Sequence, residues 1–381
     1  MTFKRRWRWL GWLLSVLAGA LLSWQPWRDA ARPAPGKAEP GSLATALWGG
    51  LGLGRVAASG ADGPAGATSD AGGQAPQTSF EVCGVGRASR AEMENAFASE
   101  GVNPPWMGPL TLRKDTALSA LAARLAVGSD AEQTAARLLM GDTQGAALIA
   151  ARSRDATAYR LALAKCGGGA GGDQAAPNCA GLSIRGWAQL DPEDARPWMS
   201  LAAKALWRRD DAAAAQALDQ VLLRRRRSPS SPLLTLAINA REGVMDEAGL
   251  GLAVIEIIGV DAAQSTDEAF VAASRYCSAE GIKDASRRHR CERLARWQFE
   301  HADSYLDAML TLGIADRVGL PAEQRPYTRE QLDRGMNRMI EQSSQILGFD
   351  CASLRRTADW VTQRARQGEL RMALKAAGAD R

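Results

Sequence analysis

The chain changes its pattern of apolar and polar positions three times. A basic stub, MTFKRRWR, leads into nineteen residues, Trp9 to Trp27, without a charge. As a helix such a run spans about 28 Å, close to the hydrocarbon thickness of a bilayer. Next comes a stretch of Ala, Gly, Pro, Ser and Asp with few large apolar residues. From Phe80 onward apolar residues recur in short runs of helical period with almost no alternating, strand-like segments. This pattern predicts an N-terminal membrane helix (1–28), a linker (29–79) and an all-α domain (80–381).

Start and stop signals divide the last part. Three capping boxes, Ser89 with Glu92, Ser129 with Glu132 and Thr328 with Gln331, mark helix starts. Gly128, Gly141, Gly243, Gly259, Gly281, Gly313 and Gly348 read as stops. About thirteen helices joined by short loops are expected, which implies antiparallel helical hairpins arranged as a repeat solenoid or a bundle.

One stretch is more specific. Residues 179–223 read CAGLSIRGWAQLDPEDARPWMSLAAKALWRRDDAAAAQALDQVLL. Trp198, Leu201 and Ala202, then Ala205, then Ala214, Leu218 and Val221, with Asp191-Pro192 before them, resemble a tetratricopeptide repeat, a 34-residue helix-turn-helix unit. Small residues in that unit let two helix backbones approach while large ones fill the adjoining groove. Arg209-Asp210 stands where the family has a Gly-Asp turn. Residues 182–190 fit the second helix of a preceding unit, 156–165 its first, and 233–240 with 245–258 a later pair. Beyond residue 260 hairpins continue without a registered repeat. The resemblance implies a protein-binding scaffold. On it Ser200, Lys204 and Trp207, spaced i, i+4 and i+7, would line a partner groove.

Charge alters the picture mainly through where it lies. The formal net charge is +5, and Lys4, Arg5, Arg6 and Arg8 supply four of those charges. Five of the twelve Trp (7, 9, 12, 24 and 27) flank the uncharged run, as in an interfacial belt. Cations ahead of the run keep that end cytoplasmic and send the rest across the membrane. A cleaved signal peptide is the alternative, because Ala18-Gly19-Ala20 resembles a peptidase site. Ala20 in place of Cys removes the lipoprotein reading. Forty Arg against seven Lys match a GC-rich bacterial genome, so the expected location is the inner membrane, single-pass, with the helical domain in the periplasm.

The six cysteines of an exported chain read as disulfides. Cys166 with Cys179 and Cys277 with Cys291 each close a short inter-helix loop, by roughly 3 kcal/mol apiece. Cys83 with Cys351 follows by elimination. No C-x-x-C pair, zinc spacing or haem motif is present, and the glycine run from Gly167 lacks the Lys-Ser/Thr of a phosphate loop. With only His289 and His301 available, neither at ligand spacing, no metal or cofactor is predicted. Acid pairs such as Asp210-Asp211 and Asp246-Glu247 suit helix N-termini. Arg224, Arg225, Arg226 and Arg227, the densest basic run after the stub, read as a solvated helix end or an anionic contact. No aromatic interleaving points to nucleic acid. The leading expectation is therefore a scaffold binding a protein or peptide in the cell envelope. The alternatives are an all-α envelope enzyme acting on peptidoglycan, for which Glu292, Glu300 or Asp303 qualify by position alone, and a structural spacer.

Overall fold

The computed structural model describes residues 79–89, 92, 105–167, 177–264, 268–346 and 348–379. The chain separates into two compact units, Met1–Ser69 and Asp70–Arg381, and every described residue belongs to the second. The expected membrane helix (1–28) and nearly all of the expected linker (29–79) lie outside the described residues. Among those described, no helix is long and apolar enough to cross a membrane.

The second unit is predominantly helical. It opens with an antiparallel hairpin of β1 (Ser79–Val82) and β2 (Gly86–Ser89), in which Val82 faces Gly86 and Ser79 faces Ser89. The apolar run is too short to register as a strand, and Ser79 belongs to β1, not to the linker. The hairpin is held from outside. Phe80 packs edge-on against Trp106 at 5.6 Å, Trp106 meets Phe349 at 5.3 Å, and Cys83 is bonded to Cys351. A lone two-stranded hairpin is marginal in water, so these contacts decide its presence.

Fifteen α-helices come after it among the described residues: α1 (Met107–Leu125), α2 (Asp130–Leu139), α3 (Thr143–Arg152), α4 (Ala156–Gly167), α5 (Ile184–Leu190), α6 (Arg196–Trp207), α7 (Asp211–Leu222), α8 (Pro232–Ala240), α9 (Glu247–Gln264), α10 (Glu268–Tyr276), α11 (Ala285–His301), α12 (Tyr305–Val318), α13 (Arg329–Ile346), α14 (Cys351–Gln367) and α15 (Glu369–Ala376). All three capping boxes form, with Ser89 and Glu92, Ser129 and Glu132, and Thr328 and Gln331 exchanging their paired hydrogen bonds. Two expected stops are corrected. Gly259 and Gly313 lie inside α9 and α12, where their neighbours continue the helical pattern. It is Gly319, in the left-handed region at φ 75°, that ends α12.

Two cores form. The first gathers α1 to α5, α8, α9 and α14 around Leu121, Leu125, Leu161, Leu233, Leu250 and Ile257. The second gathers α6, α7, α10 to α13 and α15 around Met199, Leu218, Leu294, Ile314 and Leu332. The chain passes between them repeatedly, and the packings of α9 on α14 and of α6 on α10 join helices distant in sequence. Two glycines permit the closest approaches. A Cβ at Gly251 of α9 would sit 2.3 Å from the Leu354 carbonyl oxygen of α14, and one at Gly335 of α13 would sit 2.1 Å from that of Ala373 in α15. All three cysteine pairings expected from the sequence are present, Cys83–Cys351, Cys166–Cys179 and Cys277–Cys291, with the last completely buried in the second core.

Candidate functional site

The α6–α7 hairpin carries the residues nominated for a partner groove. Pro197 lies in the first turn of α6, where its missing N–H costs nothing. Ala202, Ala205, Ala214, Leu218 and Val221 are buried between α6 and α7, and Trp198 and Leu201 pack half-buried against them. The turn is a Schellman ending: the Asp210 amide donates to the Ala205 carbonyl at 2.9 Å and the Arg209 amide to that of Leu206 at 3.1 Å. Asp210 then accepts from the Ala213 amide at 2.9 Å and so starts α7. Arg209 occupies the left-handed position of this turn, at φ 60°, where glycine is the usual residue.

The same device ends α2. There the Asp142 amide donates to the Arg137 carbonyl at 2.8 Å, that of Gly141 donates to Leu138 at 3.0 Å, and the Asp142 carboxylate caps α3 by accepting from the Gly145 amide at 2.8 Å. Gly141 has φ 74°, and Gly243, in the turn between α8 and α9, has φ 73°. Gly141 and Arg209 are 68 residues apart and Arg209 and Gly243 are 34 apart, which are two and one multiples of a tetratricopeptide period. Read in sequence, Gly141 marks only a stop. Its Gly-Asp step, echoed as Arg-Asp 68 residues later, is the signal available there for a second hairpin built on the same turn.

The three nominated groove residues do not share one exposed face. Ser200 is buried, while Lys204 and Trp207 are exposed, Trp207 at 63%. Ser200 lies on the side of α6 turned into the core, whereas Lys204 and Trp207 lie on its exposed side.

The basic run is also corrected. Helix α7 ends at Leu222, so Arg224 to Arg227 form a connecting segment, not a solvated helix end. Arg224 lies 5.2 Å over the Trp198 ring and Arg226 pairs with Asp191. The Arg227 side chain is 2% exposed and reaches Asp307 at 2.7 Å and Asp303 at 3.5 Å. Of the four, Arg225 and Arg226 are the exposed residues.

Along this segment most carbonyls are met by groups from other elements. Trp297 Nε1 donates to Arg224 at 2.9 Å, His301 Nε2 lies 3.1 Å from the Arg225 oxygen, and the Ala195 amide donates to Arg226 at 2.9 Å. The Arg196 guanidinium donates to Ser228 and that of Arg160 to Pro229 at 2.7 Å. A buried connection survives only when its backbone groups are met in this way.

The charges around it form an ionic seam of Arg160, Arg196 and Arg227 with Asp194, Asp303 and Asp307. Asp194, fully buried, accepts from the Arg196 and Ser228 amides at 3.1 and 3.0 Å. Burial draws the Arg196 guanidinium down to about 9 and also lowers that of Arg160. Burial pushes Asp303 upward, but Arg227 and Arg196 outweigh it and hold that carboxyl below its ordinary value. Asp307 is raised, by burial first and by the neighbouring Asp303 carboxylate as well. Beside the seam, Asp261 of α9 accepts from the Leu233 and Leu234 amides at 3.0 and 2.7 Å, capping α8 from another helix, and burial pushes it up to about 7. No local spacing announces Asp194, Asp261 or Asp307 as buried.

The carboxylates nominated for an enzyme do not converge. Glu292 pairs with Arg296 one turn away, Glu300 is exposed, and Asp303 is engaged in the seam. His289 is exposed, and His301 stacks on Trp297 at 4.1 Å. Among the described residues no three His, Cys, Asp or Glu side chains gather as metal ligands would. Two surface hollows lie along α13, lined by Arg329, Asp333 and Arg334, and beside the α8–α9 turn, lined by Arg241, Asp246 and Arg366; neither contains a nominated carboxylate.

Comparison with protein-family models, with curated proteins and with solved structures finds no significant match. The functional reading therefore rests on this geometry.

Proposed function

We propose that the chain is an exported, membrane-tethered, tetratricopeptide-like helical-repeat protein that serves as a protein-interaction scaffold at the periplasmic face of a bacterial inner membrane. The observation that carries the reading is that the α2–α3 and α6–α7 hairpins turn on matching Schellman endings, each followed by a capping Asp, with their left-handed residues Gly141 and Arg209 set 68 residues, two 34-residue periods, apart. Helical hairpins repeated at this period work by presenting side chains on a surface, not by placing a reactive group in a cleft. Trp207 and Lys204, exposed at the end of such a hairpin, are the side chains available for it. The uncharged run from Trp9 to Trp27 behind four cations supports the tether and the orientation.

Affinity capture of the full-length chain from crosslinked membranes tests the scaffold. Reproducible recovery of one envelope complex is the expected result. Recovery of no partner, together with hydrolysis of peptidoglycan by the purified chain, overturns it. Alkaline carbonate extraction tests the tether, which is wrong if the full-length protein is released.

A further inference from the structure

We infer that the end of α6 and the adjoining surface of α10 form a docking site for an acidic segment of a protein partner. This rests on the scaffold reading and gives its binding surface a chemistry. Trp207 is 63% exposed, and the Arg275 guanidinium of α10 lies 5.1 Å from its ring centroid. Val271, one turn earlier on α10, is 49% exposed. Lys204, Arg208 and Arg209 are exposed around the Trp207 end of α6, and neither they nor Arg275 form an ion pair among the described residues. The two nearest acids in sequence are engaged elsewhere, Asp210 in capping α7 and Asp211 with Arg287 at 2.8 Å. An exposed aromatic ring under one guanidinium, an exposed Val271 on the same helix as that guanidinium, and three further cations at the helix end, none of the four in an ion pair among the described residues, are complementary to a peptide that brings carboxylates and an apolar side chain.

Cations at a helix C-terminus also favour the dipole, and that accounts for Lys204 and Arg208. It does not account for Trp207, nor for Arg209. In the matching turn of α2 the left-handed position is glycine, which adopts it without strain, whereas Arg209 holds it against a steric cost. The arrangement keeps a strained residue, and with it an exposed charge, at the same helix end as the exposed ring. A protein partner fits better than a lipid surface, because the exposed apolar part of this surface is one ring, itself under the Arg275 guanidinium, and Val271, far less than an interfacial helix buries.

Site-specific photocrosslinking in the native envelope tests the site, using the full chain with p-benzoylphenylalanine at 207 and, as control, at the equally exposed Leu112 of α1. The expected result is a protein adduct at 207 and not at 112, with the crosslinked segment net acidic. Yield should fall at least tenfold in the double variant Arg208→Glu, Arg275→Glu. Should that variant melt early, Arg208→Gln with Arg275→Gln gives the same reading. Arg209→Gly should lower the yield severalfold while raising the melting temperature, a combination a purely structural role does not produce. No adduct at 207, a phospholipid adduct, a segment that is not acidic, or a yield indifferent to charge each overturns the inference. If capture still returns a partner while 207 stays silent, this site is wrong and the scaffold stands; if capture fails as well and the purified chain hydrolyses peptidoglycan, the scaffold reading itself falls.

Discussion

The α2–α3 and α6–α7 hairpins are built on the same turn and differ in the residue that fills it and in the path the chain takes afterwards. In the first, Gly141 takes the left-handed position, Asp142 caps the next helix, and the chain continues after Arg152 into α4, which packs on both preceding helices. In the second, Arg209 takes that position, and after α7 the chain enters the segment around Arg224 to Ser230 with its ionic seam. The two thus share local backbone geometry but not onward packing. From α8 the chain returns to the first core instead of stacking on α7. A repeat's turn is decided by a few residues, whereas its place in a stack depends on what its outer surface meets.

The seam is the sharpest place to break this comparison. Arg227→Met leaves the buried Asp307 and the half-buried Asp303 without their main cation, and urea denaturation should show a loss of about 3–5 kcal/mol. Arg152→Met, at the exposed end of the first hairpin, should stay within about 0.5 kcal/mol. Equal losses would remove the distinction between the two connections.

The second effect is one of pH. Asp261 has its folded-state value raised to about 7 from an ordinary 3.8, so the folded chain binds the proton more tightly than the unfolded chain between those values. Its contribution is fully present below about pH 4 and is lost as pH rises to about 7, at up to roughly 1.4 kcal/mol per unit. Asp303, lowered, acts oppositely: its contribution is present above its ordinary value and disappears as pH falls below it. Denaturation between pH 4.5 and 7.5 should therefore show stability falling with pH, with the raised Asp307 adding to the fall, and Asp261→Asn should make the slope shallower without removing it. A slope unchanged in Asp261→Asn would assign it to other groups.

The two close approaches come next. Gly251→Ala and Gly335→Ala each drive a Cβ into a facing carbonyl, one in each core, and should each cost about 1–3 kcal/mol. Thermal melts that move for one and not the other would show that the cores bear the crowding differently.

The smallest effect is an exchange between the turns. Arg209→Gly should stabilise by about 1 kcal/mol and Gly141→Ala should destabilise by about as much, because a left-handed residue with a Cβ carries that cost. Like signs for the two substitutions would mean that the turns are not equivalent.

Helix starts are the most legible part of the fold, since a capping box satisfies amides within four residues and needs nothing distant; Ser129 with Glu132 is the plainest case. Glycines are legible only in part. Gly141 and Gly243 do end helices, but Gly313 is carried through α12 by its neighbours, and Gly335 is there for a helix some forty residues away. Of the candidate site, Lys204 and Trp207 face outward, whereas Ser200 is turned into the core and Arg227 is held by Asp307 of α12, from outside its own segment.

Taken alone, the sequence determined the features that depend on neighbours along the chain: helical periodicity, caps and two of the cysteine pairs. The third pair, Cys83 with Cys351, came from counting alone. Tertiary structure decided which charges are buried, which helices from distant parts of the chain share a core, and that of four consecutive arginines Arg224 and Arg227 are drawn into a connection while Arg225 and Arg226 stay exposed. The physical reason is that helix propensity and capping act over about one turn, whereas burial, and the pairing that burial demands of a charge, is set by whatever element the rest of the chain brings alongside.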